Sequence, residues 1–307
     1  MMDINNIPRN HGPECRWCAN KRYTGLKKGP PITLTNNFAY SHPSGSDLIS
    51  TGECVNKKAL LIGINYLDEI GSNRLKGCIN DAMDMKEFLY KNFRVTDVRL
   101  MCDNMARSSQ PSRQNILDSI SWLVDGAKPG DNLFFYFSGH GRQTPDLNNE
   151  GDNLDEVIVP CDHRTEGYIT DDDLYRVLVH AVPKDVTLVA IIDCCHRRTM
   201  LDLPNIHQAR NRAIMSRSRQ KFVKGRVVCI SAATDVQTAI DVPQSTDVHG
   251  ALTHALLHAI EDKKLRVTLY TLLITITATL SHFHQIPCIS TTNNVQLRRF
   301  YFGIENT

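Results

Sequence analysis

The sequence predicts an α/β fold built on a mainly parallel sheet flanked by helices. Three observations predict it. Short apolar runs of strand length recur, as in ALLIGIN, NLFFYF and VTLVAIID, and read as strands buried on both faces. Stretches with helical spacing alternate with them, which is the order of a parallel sheet with crossover helices. Several of the runs also end abruptly in small, polar or reactive residues, at 65, 138–141 and 193–196, the carboxyl ends at which such sheets gather their chemistry.

The elements follow in order. Residues 1–56 hold Pro8, Pro13, Pro30, Pro31 and Pro43 among many Asn, Ser and Gly, with no sustained periodicity, and read as a flexible arm or prodomain. The folded domain spans 57–307. Ala59–Asn65 is the first buried strand. Residues 78–91 form a helix with Ile79, Met83, Phe88 and Leu89 on its apolar face. A partly exposed strand covers 95–102, where Asp97 and Arg99 interrupt the apolar pattern. A helix follows over 112–127, then the turn Lys128–Asp131 and the strongly apolar strand Asn132–Phe137. Residues 142–154 are polar and read as a loop, and Glu156–Pro160 is a short strand. Asp171–His180 opens with three acids, which suit the positive end of a helix. Val186–Asp193 is a further buried strand. Residues 226–233 form another, 249–262 and 268–283 are helices, and 286–291 is a last short strand. Frequent threonine in 268–280 lowers helix propensity without removing its apolar character.

Composition narrows the function. The chain has 307 residues, with 35 Lys+Arg against 33 Asp+Glu and a formal charge of +2. That balance disfavours a dedicated nucleic-acid binder, and 41% hydrophobic residues disfavour a mostly disordered chain. The ten cysteines are too sparse for a small disulfide scaffold. The N-terminus has no apolar signal core, and the greasiest stretch, Leu269–Leu280, is too short to span a bilayer. The expectation is a cytoplasmic chain, with the nucleus as a second location, acting without nucleic acid or membrane. Cys15-x-x-Cys18, with His11, His42 and Cys54 at long reach, lacks the spacing of a zinc site and reads as plain cysteines.

A cysteine nucleophile needs a base and donors for the developing oxyanion. Cys195 ends one apolar strand and His140 ends another, so adjacent strands would bring them together. Gly141 follows the histidine and leaves its backbone open to a carbonyl oxygen. The chain lacks GxxxxGK[ST] and a GxGxxG between strand and helix, so a nucleotide-binding α/β protein is a poor reading.

The blocks KKALLIGINY, LKGCINDAMDM, FFYFSGHGRQ, GDNLDEVIVPCD, GYITDDDL, IIDCCH with LDLP, SAATDVQTA, GALTHAL and QIP occur in that order over residues 57–302. They resemble type I metacaspases, cysteine endopeptidases of the caspase-like group, whose histidine lies roughly 50 residues before the cysteine. The resemblance implies a caspase-like three-layer sandwich, His140 as base, Cys195 as nucleophile, and the amides of Gly141 and Cys195 as oxyanion donors. Cys194 takes the variable place before the nucleophile. It implies polypeptide substrates cleaved after Arg or Lys, with Cys78, Asp81, Ser138 and Asp193 lining a negative pocket, since a guanidinium seeks a carboxylate. It also implies calcium as activator, with Asp155, Asp171, Asp172 and Asp202 as ligands, because hard cations take several oxygens. A monomer is the expected state.

Departures from the family pattern define the alternative. His196-Arg197-Arg198 stands where the family has His-Ser-Gly, and Pro287-Cys288-Ile289 also differs. Two cations beside the cleft would repel a basic substrate, or lower the cysteine pKa. The competing reading is therefore a catalytically impaired homologue acting as a regulatory binding or scaffold protein. Residues 203–234 contain no acid and carry Arg210, Arg212, Arg217, Arg219, Lys221, Lys224 and Arg226. An enzyme selecting basic residues would then cut itself within 210–224, or near Lys21, Arg22, Lys27 and Lys28.

Overall fold

The first strand, β1 (Lys57–Gly63), is buried from Ala59 onward. It is apolar on both faces because both faces are covered. Leu60 and Ile62 pack in one core with Ile116, Ile120 and Leu123 of a helix on one side of the sheet. On the opposite face a Cβ added at Gly63 would lie 2.3 Å from the Cys78 carbonyl oxygen at the start of another helix. In this computed structural model the residues described are 55–145, 154–194, 200–209, 215–216, 223–234, 241–244, 247–262, 267–283, 285–293 and 295–300. Residues 1–54 of the proposed arm, with Cys15 and Cys18, lie outside them.

Helix α1 (Cys78–Phe93) buries Cys78, Ala82, Met85 and Leu89, a repeat of three and four residues, together with Asp81, Phe88 and Phe93. The expected apolar face was partly misplaced. Ile79 is half-buried and Met83 is 48% exposed, because both sit one position off that repeat. Strand β2 (Asp97–Cys102) pairs with β1 at the sheet edge, which is why Asp97 and Arg99 are tolerated there. The Arg99 guanidinium lies 4.2 Å over the Trp122 ring. Helix α2 (Arg113–Val124) starts at Ser112, whose hydroxyl accepts the Asn115 N–H at 3.3 Å. It ends earlier than residue 127 because Asp125 turns extended and Gly126 adopts φ +68°.

Strand β3 (Asn132–Ser138) leads directly into a small antiparallel sheet of β4 (Gly141–Pro145), β5 (Leu154–Ile158) and β6 (Ile169–Thr170). The loop expected from residue 142 is thus corrected at its start: 142–145 pair with 154–157 despite their polarity, because cross-strand bonds ask little of an exposed side chain. A one-turn helix α3 (His163–Glu166) precedes β6. The helix expected over 171–180 is also modified. One α-turn, α4 (Asp171–Leu174), is capped by the Thr170 hydroxyl on the Asp173 N–H, and Tyr175–Val179 then widens into a π-turn.

The remaining elements are β7 (Thr187–Asp193), β8 (Asn205–His207), β9 (Met215–Ser216), β10 (Arg226–Thr234), β11 (Asp241–Gln244), β12 (Asp247–Gly250), α5 (Ala251–Asp262), α6 (Leu269–Leu280) and β13 (Gln285–Thr291). The main sheet runs β2-β1-β3-β7-β10-β13-β8-β9. Its members from β2 through β10 are parallel and the rest antiparallel. Helices α1, α5 and α6 pack side by side against it, while α2 packs with the 175–179 turn on the other face. This is the three-layer α/β sandwich the sequence predicts. Threonines within α6 are accommodated by back-bonding to the preceding turn, Thr275 to the Thr271 carbonyl at 2.9 Å and Thr277 to that of Leu273 at 2.6 Å. Among the described residues no helix is long and apolar enough to cross a membrane.

Candidate active site

The site lies at the carboxyl ends of β1, β3 and β7. Register sets Gly63 beside Ser138 and Ser138 beside Asp193. Backbone bonds continue past the strands: Ile64 N–H donates to the Ser138 carbonyl at 3.0 Å and Gly139 N–H to that of Asp193 at 3.3 Å. The chain leaving β1 then caps α1. Asn65 Oδ1 accepts the Cys78 N–H at 3.0 Å and the Ile79 N–H at 3.4 Å, and its amide donates to the Lys76 carbonyl at 3.3 Å.

His140 follows β3 by two residues. Its Nε2 lies 2.7 Å from the Asn73 carbonyl oxygen. A carbonyl only accepts, so Nε2 carries the proton and Nδ1 of the neutral ring is the proton acceptor. Burial lowers the imidazole pKa, the Asn73 carbonyl opposes this, and Arg142 and His163 add to the lowering. The Tyr66 ring lies 4.5 Å from the imidazole, centre to centre. Asn73 is a partner that side-chain patterns could not reveal, since it contributes only a backbone atom.

Asp81, Ser138 and Asp193 come together between α1, β3, β7 and the start of α5, while Cys78 opens α1 one turn before Asp81. Asp81 is fully buried. Its carboxylate accepts the Ser138 hydroxyl at 3.0 Å and the Gly250 N–H at 2.9 and 3.0 Å, with His249 Nδ1 at 3.3 Å. Burial pushes the Asp81 pKa up, and His249, Gly250 and Ser138 oppose it. Asp193 is half-buried, and its Oδ2 accepts the Thr253 N–H at 2.9 Å and hydroxyl at 2.7 Å. The Tyr136 and Thr253 hydroxyls lie 2.6 Å apart. Residue 250 must be glycine for both carboxylates to approach: an added Cβ would lie 2.4 Å from Asp193 Oδ2 and 2.8 Å from Asp81 Oδ2. His249, Gly250 and Thr253 were missed as site residues, although they flank or lie within the GALTHAL block. Their roles come from packing of a distant segment, which spacing does not encode.

The acidic cluster is assembled in part. Asp171, at the start of α4, is held up to about 7 by burial first, and then by the charges of Asp155 and Asp172. Its Oδ1 accepts the Asp172 N–H at 3.0 Å. Asp202 is buried in a left-handed conformation, φ +47°. Among the described residues, no group of three or more His, Cys, Asp or Glu is placed to hold a metal ion. Crowded carboxylates are the donor type a hard dication seeks; the structure brings Asp155 and Asp172 near Asp171 without forming a closed ligand set. Cys195, His196, Arg197 and Arg198 lie outside the described residues, as does much of the basic segment 210–222. Cys194 is buried and is not part of a disulfide.

The family described as "Metacaspase, peptidase C14 domain" matches residues 57–204. Metacaspase-1 of Coccidioides immitis is 42% identical over 211 residues, covering 66% of this chain and 45% of that protein. Metacaspase-1A of Neosartorya fischeri is 45% identical over 190 residues, covering 60% and 43%. The chain spans about half the length of these curated relatives. A crystal structure of a Geobacter sulfurreducens protein superposes with a TM-score of 0.58 at 21% identity, over 80% of this chain and 97% of that one, a likeness of fold.

Proposed function

Because the chain belongs to the metacaspase family, we propose that it is a cysteine-type endopeptidase that cleaves polypeptides after Arg or Lys. The observation that carries this reading is the fixed imidazole. His140 Nε2 is held by the Asn73 carbonyl at 2.7 Å, so the ring presents Nδ1 as a base. Ser138 and Asp193 are in register, and His140 and Cys195 each follow two residues later.

In the proposed reaction the Cys195 thiol gives its proton to Nδ1 of His140, and the thiolate adds to the peptide carbonyl carbon. The amides of Gly141 and Cys195 receive the oxyanion. Gly141 pairs with Ile158, but the adjoining bond runs from Val159 N–H to the His140 carbonyl, so that rung does not consume the Gly141 amide. Collapse of the adduct breaks the C–N bond as His140 returns its proton to the leaving amine. Water then hydrolyses the thioester. Asp193, half-buried at the strand end, would meet the guanidinium or ammonium. Fully buried Asp81 supports the same pocket from below through Gly250 and Ser138.

Calcium activation, self-cleavage in the arm or within 210–224, a monomeric state and a cytoplasmic location belong to the same proposal. Asp155, Asp171, Asp172 and Asp202 would hold the ion, which supplies positive charge that lets crowded carboxylates ionise together. The test measures hydrolysis of peptide amides ending in Arg, Lys or Asp, in calcium or chelator. It uses the intact chain and its Cys195→Ala and His140→Ala variants. Calcium-dependent cleavage after Arg and Lys that both variants lose is the expected result. Equal turnover by Cys195→Ala, or a preference for Asp, refutes the reading. Fragmentation of the intact chain and Cys195→Ala alike refutes self-processing.

A further inference from the structure

Tyr66 is the aromatic residue just past β1, and sequence spacing gives it no catalytic role. Its hydroxyl accepts the backbone N–H of His140 at 2.8 Å and donates to the Val159 carbonyl at 2.8 Å. Val159 N–H in turn donates to the His140 carbonyl at 3.1 Å. One phenol therefore bridges the His140 N–H, where the chain leaves β3, and the Val159 carbonyl, just past β5. Its ring also lies 4.5 Å from the imidazole at an interplanar angle of 32°.

The surrounding chain holds Tyr66 in place. It adopts φ +54°, a conformation a bulky residue keeps only when its neighbours enforce it. The Asp103 carboxylate enforces it from both sides, accepting the Asn65 N–H at 3.1 Å and the Leu67 N–H at 2.8 Å. The Tyr66 carbonyl accepts the Glu69 N–H at 2.8 Å. Gly139 leaves room for the hydroxyl: an added Cβ would lie 3.0 Å from it and 2.8 Å from the Phe137 ring. The same loop carries Asn73, whose carbonyl holds Nε2.

We propose that Tyr66 is the positioning residue of His140, fixing the main chain through its hydroxyl and the plane and burial of the imidazole through its ring. The proposal rests on the reading of His140 as general base. In this role the phenol acts through His140 and not on the reacting atoms. It makes the base rigid before substrate arrives, which matters because small misplacements of a catalytic group cost large factors in rate.

The two parts separate by substitution. Tyr66→Phe keeps the ring and removes the hydroxyl. Tyr66→Leu removes both and admits water to the imidazole. The groups acting on His140 otherwise, Arg142, His163, Glu69 and the Asn73 carbonyl, stay unchanged. Burial lowers the histidine pKa, so lost cover raises it, and the acid limb of kcat/KM moves to higher pH.

The experiment measures kcat, KM and the pH profile for an Arg-terminated peptide amide. It also follows the His140 imidazole by nitrogen NMR, with His140→Ala assigning the signal. The expected result for Tyr66→Phe is a kcat reduced roughly tenfold, KM within about twofold and an unmoved acid limb. For Tyr66→Leu it is a larger fall in kcat, an acid limb moved upward and an imidazole titration moved with it. Folded Tyr66→Phe and Tyr66→Leu proteins with unchanged kcat and an unchanged titration overturn the proposal. If Tyr66→Leu does not fold, Tyr66→Phe with unchanged kcat overturns it alone. If His140→Ala retains hydrolysis, the general-base reading falls instead, and the titration decides whether Tyr66 positions the ring.

Discussion

Gly250→Ala is a one-methyl test of how the two pocket carboxylates are held. The glycine amide donates to both oxygens of Asp81, and an added Cβ would enter at 2.4 Å from Asp193 Oδ2 and 2.8 Å from Asp81 Oδ2. That is about 1 Å short of ordinary contact, and neither neighbour is the end of a long, flexible side chain. Overpacking of this kind costs about 1–3 kcal/mol. Lengthening an amide bond to a buried carboxylate adds about 1–2 kcal/mol. The expected loss is therefore about 3 kcal/mol in urea unfolding, with a fall in Tm of roughly 6–12 °C for a domain of this size. The KM for Arg-terminated substrates should rise more than kcat falls, because the pocket carboxylate is displaced while His140 is untouched. The nearest clash is with Asp193, so Gly250→Ala should cost about 1–2 kcal/mol less in an Asp193→Ala background. A Gly250→Ala protein within about 0.5 kcal/mol of the parent, or strict additivity with Asp193→Ala, would refute the packing described.

Two further predictions concern stability. Asn65→Ala removes the acceptor that caps α1 at Cys78 and Ile79 and should cost about 1–2 kcal/mol in urea, with Asn65→Asp recovering most of it; equal midpoints for Ala and Asn would sink the cap. His254 has its pKa lowered to about 4 by burial first, and then by His258 and His249, against about 6.5 when unfolded. The unfolded chain thus binds more protons between those values, so stability is fully present above pH 6.5, declines as pH falls and levels off below about 4. Allowing for partial exposure, the loss attributable to His254 is about 2 kcal/mol, and unfolding of His254→Gln should be flatter over that window. An identical pH slope in the variant removes His254 as the cause.

Legibility differed by element. The strands β1, β3, β7 and β10 could be read directly because burial on both faces leaves near-continuous apolar runs. The turn at Ser138-Gly139-His140 was legible for the same reason, being where such a run stops. The short strands β8, β9, β11 and β12 were not read, since two to four residues carry no period. The π-turn at 175–179 shares the residue preferences of an α-helix, so only backbone bonding separates them. At the site, Asp81 and Asp193 could be picked out through family likeness, but their donors could not. Gly250 reaches Asp81 across 169 residues and Thr253 reaches Asp193 across 60, contacts fixed by helix packing rather than by local pattern.

The Asn73 carbonyl that holds His140 has a consequence for mutational surveys. A main-chain oxygen survives every ordinary substitution at its own residue, so a scan of side chains will record position 73 as tolerant even though its atom sets the imidazole tautomer. The vulnerability is displaced onto the path of the turn, Gly71–Asn73, where Gly71 adopts φ +70° and the Arg74 N–H closes on the Gly71 carbonyl at 3.2 Å. Drift of side chains around that turn is compatible with a constant proton inventory. Insertions and deletions there are not.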